Sequence, residues 1–500
     1  MKPHHAHATL PAASCLRSAR CLRCFLLALM CLALGSAHGQ DKPPKGRGGG
    51  PQALVLPPDV QALAQLSAVL GRPTRDSITL NLLSARTLEL VVAYGVEGEP
   101  RWQEAPPLRL SAGEPREILL SGLKPDTAHR YQLRWREPGQ ASFEAGSVQY
   151  FHTARAQGRT FSFELQGDSH PERRHQFDPA LYAQTLRAAA ADRPDFYLTL
   201  GDDFSVDTLK TLNAASVEGR YLLQRPFLAL VGQTARLFLV NGNHEQAAAA
   251  NLDGTANNVA VWAQTARNRY FPQPAPDDFY SGDTEPVPHI GLLRDYYAWT
   301  WGDALFVVID PYWHSPQPVD NALGSRDKAG RDLWNNTLGD AQYRWLRQTL
   351  ESSMARFKFV FAHHVLGTGR GGAKMARLYE WGGEDPRGRS QFAQRRPGWP
   401  EPVHALMVRT GVSIFFQGHD HVFAREIVDG VVYQTVPEPA DPQHTLYFPE
   451  AYEGALLQPN SGRLRVRVST DRASVTYIRS WLQPPDSVPD EVAYDVLPRH

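Results

Sequence analysis

The chain has 500 residues, 42% hydrophobic and 21% charged, the balance of an ordinary globular protein with room for two or three domains. Its 52 basic and 52 acidic residues cancel to a formal net charge of zero. No whole-chain basic field draws nucleic acid or an anionic membrane surface, so neither is expected as a partner.

Residues 1–39 read as a signal peptide. Arg17, Arg20 and Arg23 precede an apolar run from Cys24 to Leu34 that ends in Gly35-Ser36-Ala37-His38-Gly39. A basic flank, a short apolar core and a small-residue exit describe a secretory signal cleaved near Gly39. The run is too short for a comfortable membrane span, and an uncleaved N-terminal anchor is the competing reading. The only four cysteines, Cys15, Cys21, Cys24 and Cys31, lie inside this segment. Once it is removed the chain holds no disulfide, no cysteine-ligated zinc and no thiol nucleophile. Losing Lys2 and the three arginines leaves 48 basic against 52 acidic residues, a mildly acidic mature protein. Nothing later is long and apolar enough to cross a bilayer, so a periplasmic or extracellular protein without membrane contact is expected.

Residues 40–70 begin with a stretch rich in Gly, Pro and Lys and are expected to be a linker. From 71 to 155 short alternating strands are separated by turns. Ile78, Leu80 and Leu82 alternate, as do Leu88, Leu90 and Val92, then Tyr131, Leu133 and Trp135. No helical period interrupts them, which predicts a small all-β sandwich. The turn Gly122-Leu123-Lys124-Pro125-Asp126-Thr127, running into Tyr131, is similar to that of fibronectin type III modules.

Residues 156–500 change grammar to strands alternating with helices, the pattern of an α/β domain. An amphipathic helix is expected over 178–191, with Asp178 as N-cap, and another over 339–352. Asp429-Gly430 between two apolar runs predicts a hairpin. Two long irregular stretches, 246–294 and 366–400, are expected to be site rims or to hold small elements of their own.

Five apolar strands in this region open directly into polar residues. They lead to Asp168 and His170, to Asp202, to Asn243-His244-Glu245, to His363-His364, and to His419-Asp420-His421. Taken singly, a Gly-Asp is a turn and an Asn-Gly a hairpin. Five such motifs, each on a strand end where α/β sheets gather their sites, describe one metal centre. At the end of an extended segment the i, i+2 spacing of Asp168 with His170 turns both side chains to one side. Three oxygen donors and four imidazoles suit Fe, Mn or Zn and are too nitrogen-rich for calcium or magnesium. Seven ligands fit two divalent ions about 3.5–4 Å apart.

The order Gly-Asp-Xaa-His, Gly-Asp, Gly-Asn-His-Glu, His, Gly-His-Xaa-His resembles the calcineurin-like metallophosphoesterase superfamily. With a β-sandwich in front, the chain is similar to bacterial relatives of the purple acid phosphatases. The resemblance implies an α/β fold, a four-layer α/β/β/α sandwich with the metals at one end. It implies that Asp168, His170 and His421 bind the first ion, that Asp202 bridges, and that Asn243, His363 and His419 complete the second. His364 is the alternative to His363. His244 would be catalytic, assisting the leaving group rather than binding metal, with Glu245 orienting it or a water, or forming a structural ion pair. Asp420 is expected to be solvated or to support the ligands. The purple enzymes carry a tyrosine three residues after the bridging Asp, where this chain has Ser205, and no histidine where His170 stands. The swap implies two dications and no tyrosinate–iron colour.

The implied function is hydrolysis of a phosphate ester. Two dications lower the pKa of a shared water, and the hydroxide attacks phosphorus. An acid-phosphatase-like phosphomonoesterase is the leading reading, with a phosphodiesterase or nucleotidase as alternative and a non-catalytic wall- or carbohydrate-binding protein as the outsider. Arg370 is a candidate phosphate clamp, and Trp313, His314, Tyr379 and Trp381 are candidate rim residues.

Overall fold

The computed structural model describes residues 54–317, 319, 332–366, 369–459, 461–483 and 491–499. The expected signal peptide and the first part of the expected linker lie outside the described residues. The last part of that linker is not extended chain. Pro58–Gln65 is a helix and Leu66–Gly71 a strand whose residues from Ser67 onward are buried. Val60 and Val69 fill the helical layer of the α/β domain, which outweighs the loop-like composition of this stretch.

The small all-β sandwich has two antiparallel sheets. One pairs Leu66–Gly71, Ile78–Ser84 and Arg116–Leu120 in that order. The other is centred on Leu88–Val96 and Ala128–Arg136. Leu80, Leu82, Leu90, Val92 and Tyr131 meet between them, as the alternation predicts. The opposite face of the first sheet is buried too, against a helix of the α/β domain. There the buried Arg225 donates through Nε to Ser67 Oγ at 3.1 Å and through Nη2 to the Asn81 carbonyl at 2.8 Å.

The α/β domain is built on two sheets packed face to face. In the first, Arg236–Leu239, Phe196–Thr199 and Phe161–Gln166 run parallel, and Gly462–Val468, Ala473–Arg479 and Glu491–Val496 extend it antiparallel. In the second, Ala304–Val308, Phe357–Phe361, Ile414–Gln417 and Val431–Thr435 run parallel between antiparallel edges. Both faces of the parallel strands are covered, so these strands read as continuous apolar runs rather than as alternation. One face of each sheet fills a shared aromatic layer of Phe163, Phe196, Phe306, Phe359, Phe361 and Phe416. The other face of the first sheet receives helices Pro179–Asp192, Ala214–Gly232 and Val259–Tyr270. That of the second receives Gly339–Ser352 and Val403–Arg409. The result is a four-layer α/β/β/α sandwich.

Asp178 caps its helix by accepting from the amides of Ala180 and Leu181. The helix Ala214–Gly232 was not legible in sequence because Pro226 lies inside it. Burial of Val217, Tyr221, Phe227 and Val231 outweighs a local cost of about 3 kcal/mol for that proline. The stretch 246–294 contains the twelve-residue helix Val259–Tyr270, capped by Asn258. Among the described residues no helix is long and apolar enough to cross a membrane.

Candidate metal centre

Every predicted site residue follows the carboxyl end of a parallel strand. Phe161–Gln166 leads to Asp168 and His170, Phe196–Thr199 to Asp202, and Arg236–Leu239 to Asn243 and His244. From the second sheet, Phe357–Phe361 leads to His363 and Ile414–Gln417 to His419 and His421. The two sheets present these ends at one edge of the sandwich.

The turns after the strands are tight. His170, Asp202, His419 and His421 all have positive φ, a region that costs a non-glycine residue energy and persists only where surroundings enforce it. Gly201 and Gly242 meet backbone to backbone. A Cβ on Gly201, whose φ is +87°, would lie 2.7 Å from the Gly242 Cα. A Cβ on Gly242 would overlap the Asp202 amide and Oδ1 and lie 2.6 Å from Glu245 Oε2. Two missing side chains therefore let the Asp202 and Asn243 loops touch, and the His244 amide donates to Asp202 Oδ1 at 2.9 Å.

Asp168, His170, Asp202, Asn243, His363, His419 and His421 are all buried. Donor atoms of Asp168, His170 and His421 lie within 4.8 Å of one another, as do those of Asp168, Asp202 and His363, and those of His363, His364 and His419. His363 Nε2 is 3.1 Å from Asp202 Oδ2 and 3.1 Å from His419 Nδ1. His421 Nε2 is 3.6 Å from Asp168 Oδ1, and His170 Nε2 is 3.9 Å from Asp202 Oδ2. His364 shares a cluster with His363 and His419 but turns Nδ1 to the Tyr312 hydroxyl at 2.6 Å and stacks on His419.

The donor set fits divalent transition metals. His170 Nε2 is a buried nitrogen without a hydrogen-bond partner among the described residues, aimed at two carboxylates. Burial lowers the His170 pKa to about 4, so the ring is a neutral donor with a lone pair to give. Burial also lowers the His363 pKa, but Asp202 and Asp168 outweigh it and hold that imidazole at about 10. Burial, reinforced by Asp202 and opposed by His363, pushes the Asp168 carboxyl up. Two carboxylates in one dry site need positive charge beside them, which a bound cation would supply.

His244 stands at the mouth, partly exposed, with Nε2 3.9 Å from Asp202 Oδ2. Its Nδ1 bonds the buried Asp207 carboxylate at 2.8 Å. Burial opposes protonation of His244, but Asp202 and Asp207 prevail and raise its pKa. Glu245 does not orient His244. It accepts from the Asp203 and Gly242 amides, both at 2.8 Å, and ties the two loops together. Asp207 takes the orienting role. It sits on an irregular loop five residues after Asp202, where no period or motif marks it.

Of its two expected roles Asp420 takes the supporting one: it is buried and accepts from Tyr452 Oη at 2.6 Å, Gly371 N at 2.8 Å and Arg370 Nη1 at 2.9 Å. Arg370 also donates to the His419 carbonyl at 2.6 Å and lies 4.3 Å over Phe448. Of the proposed rim residues, Trp381 is fully buried and donates to the Tyr433 hydroxyl, while Trp313, Tyr379 and His314 pack on local neighbours. At the tyrosine position of the purple enzymes, Ser205 Oγ lies 3.2 Å from His170 Nδ1 and accepts from Arg173 Nη2 at 3.1 Å.

The calcineurin-like phosphoesterase family profile matches residues 165–423, a span holding all five motif loops. No curated protein matches the sequence. Among solved structures, the chain is similar to one titled "Structure of PhoD", at 14% identity and a TM-score of 0.57, covering 86% of this chain and 90% of that one. That likeness shows a shared fold. A second, the Plasmodium protein titled "GAP50 the anchor in the inner membrane complex of Plasmodium", aligns at 12% identity and a TM-score of 0.38, covering 68% and 90%.

Proposed function

The chain belongs to the calcineurin-like phosphoesterases, metal-dependent hydrolases of phosphate esters, and from that premise we propose that it is a secreted dinuclear phosphomonoesterase of acid-phosphatase type. One observation carries the proposal: six buried donors, Asp168, His170, Asp202, His363, His419 and His421, converge from four strand ends in clusters that share Asp168 and His363, and the buried Asn243 follows a fifth. In this reading Asp168, His170 and His421 would hold one divalent ion and Asn243, His363 and His419 the other, with Asp202 serving both. Fe, Mn and Zn all suit the donor set. Bound ions would supply a water activated near neutral pH and charge to offset the phosphoryl oxygens.

The chain's own residues do the rest. His244, held by Asp207 and raised in pKa, stands beside Asp202 with a proton to give to the departing oxygen. The Glu245 carboxylate keeps the Asp202 and Asn243 loops in contact, so that the donors are pre-positioned. Ser205 at the tyrosine position supports a purple-acid-phosphatase relative without tyrosinate.

Export rests on the Arg-flanked apolar run Cys24–Leu34. The all-β sandwich and its Gly122–Thr127 turn support a fibronectin III-like module that braces the helical layer. Rates on an aryl phosphate and an aryl phosphodiester, measured with added Mn²⁺, Zn²⁺ or Fe²⁺, test the assignment. Faster hydrolysis of the monoester is expected, and a preference for the diester would replace the monoesterase reading. N-terminal sequencing of the exported protein should begin close to residue 40.

A further inference from the structure

The imidazoles of the centre differ in what holds their outer nitrogens. His363 Nδ1 bonds a neutral group, the main-chain carbonyl of Leu200, at 2.8 Å. His170 Nδ1 lies 3.3 Å from the Glu172 carboxylate and 3.2 Å from Ser205 Oγ. His421 Nδ1 bonds the Glu438 carboxylate directly. Glu438 comes from the loop after strand Val431–Thr435, outside every motif. It is 2% exposed, and its second oxygen has no hydrogen-bond partner among the described residues. Glu172 repeats the pattern: its side chain is buried, Oε1 accepts from the Ser205 amide at 3.0 Å, and Oε2 is left without a partner.

A dry carboxylate with an unpaired oxygen is costly unless positive charge stands near. No arginine or lysine forms an ion pair with Glu438 among the described residues. Among the described residues its carboxylate bonds the ring whose other nitrogen faces Asp168. A carboxylate on Nδ1–H fixes the tautomer, keeps the Nε2 lone pair inward and makes the ring a stronger donor to a metal.

We propose that Glu438, seconded by Glu172, is a positioning residue that makes the Asp168–His170–His421 site the tighter of the two ion sites. This inference rests on the dinuclear reading above. Both imidazoles of that site are backed by buried carboxylates. The second site has a neutral amide, Asn243, and His363 backed by a neutral carbonyl. The two half-sites therefore fill in order as metal is raised, the carboxylate-backed one first.

The test is a competition titration of the full chain, stripped of metal, with Mn²⁺ against a chromophoric chelator. Wild type should show two classes of ion. Glu438→Ala should weaken the tighter class by about 10–100-fold and leave the weaker class unchanged. Glu438→Gln, whose amide oxygen still accepts from Nδ1–H, should lose less than the alanine variant. Unfolding of the metal-free proteins identifies a variant that does not fold. Glu438→Gln and Glu172→Gln then carry the measurement, and at least one must weaken the tighter class. Two classes with wild-type affinities in every folded variant, or a loss confined to the weaker class, would overturn the inference. Wild-type protein that takes up one ion or none contradicts the dinuclear reading itself, and is seen before any variant is compared.

Discussion

Replacing Gly242 by alanine tests whether the centre depends on two loops touching at their backbones. The added Cβ would lie 2.6 Å from Glu245 Oε2 and nearer still to the Asp202 amide, where ordinary contact begins at 3.4 Å. Glu245 is no flexible tip. It is buried and held by two amides, so the strain falls on the loops and separates them by about 1 Å. Overpacking of this kind destabilises by about 1–3 kcal/mol. The larger effect is on chemistry, because a misplacement of about 1 Å at a reacting centre lowers turnover by about 100-fold. The variant should therefore lose at least that factor in kcat/KM on an aryl phosphate and carry less metal per chain by elemental analysis, while denaturant unfolding shows only the modest destabilisation. Gly219→Ala is the control. Its Cβ meets nothing within 4 Å inside helix Ala214–Gly232, so it should keep full activity and gain about 0.5–1 kcal/mol. Wild-type turnover and metal content in Gly242→Ala would refute the argument that this contact sets the geometry.

Other consequences are as direct. His244→Ala should keep its metal and lose about 10²–10⁴-fold in kcat, the range for a lost acid catalyst. Asp207→Asn should give a smaller loss with metal retained, since it frees a ring that is still present; equal losses would assign the chemistry to Asp207 itself. In the sandwich, burial lowers the pKa of His129 and takes that of His152 to about 4, against 6.5 when unfolded. A base depressed by folding binds its proton more readily in the unfolded chain, so this contribution is complete above pH 6.5 and is lost as pH falls toward 4. Thermal midpoints should drop across that window, less steeply in His152→Gln. A slope unaltered by the substitution would exclude His152 as a source.

The parts legible in sequence are those governed by local rules. A parallel strand covered on both faces must be a short apolar run, and a site at its carboxyl end must follow it at once. The seven residues could therefore be grouped before their convergence was visible. The cap at Asp178 and the turn at Asp429-Gly430 are local in the same sense, the latter with both residues at positive φ. What was hidden depends on contacts distant in sequence. Glu438 reaches His421 across 17 residues, and Asp207 reaches His244 across 37. Both come from loops with no period to read. The role of Glu245 is hidden for a related reason, since adjacency to His244 says nothing about which amides close on its carboxylate. The helix around Pro226 and the folded residues 58–71 show tertiary burial overriding local composition.

The claim that matters most is that these strand ends hold a dinuclear hydrolytic centre. It is tested most directly by measuring transition-metal content and aryl phosphate hydrolysis on the same preparation, before and after chelation. The account predicts about two ions per chain, turnover that disappears with them, and recovery when Mn²⁺, Zn²⁺ or Fe²⁺ is returned. A chain that binds no metal, and on which none of these ions confers activity toward mono- or diesters, would contradict it.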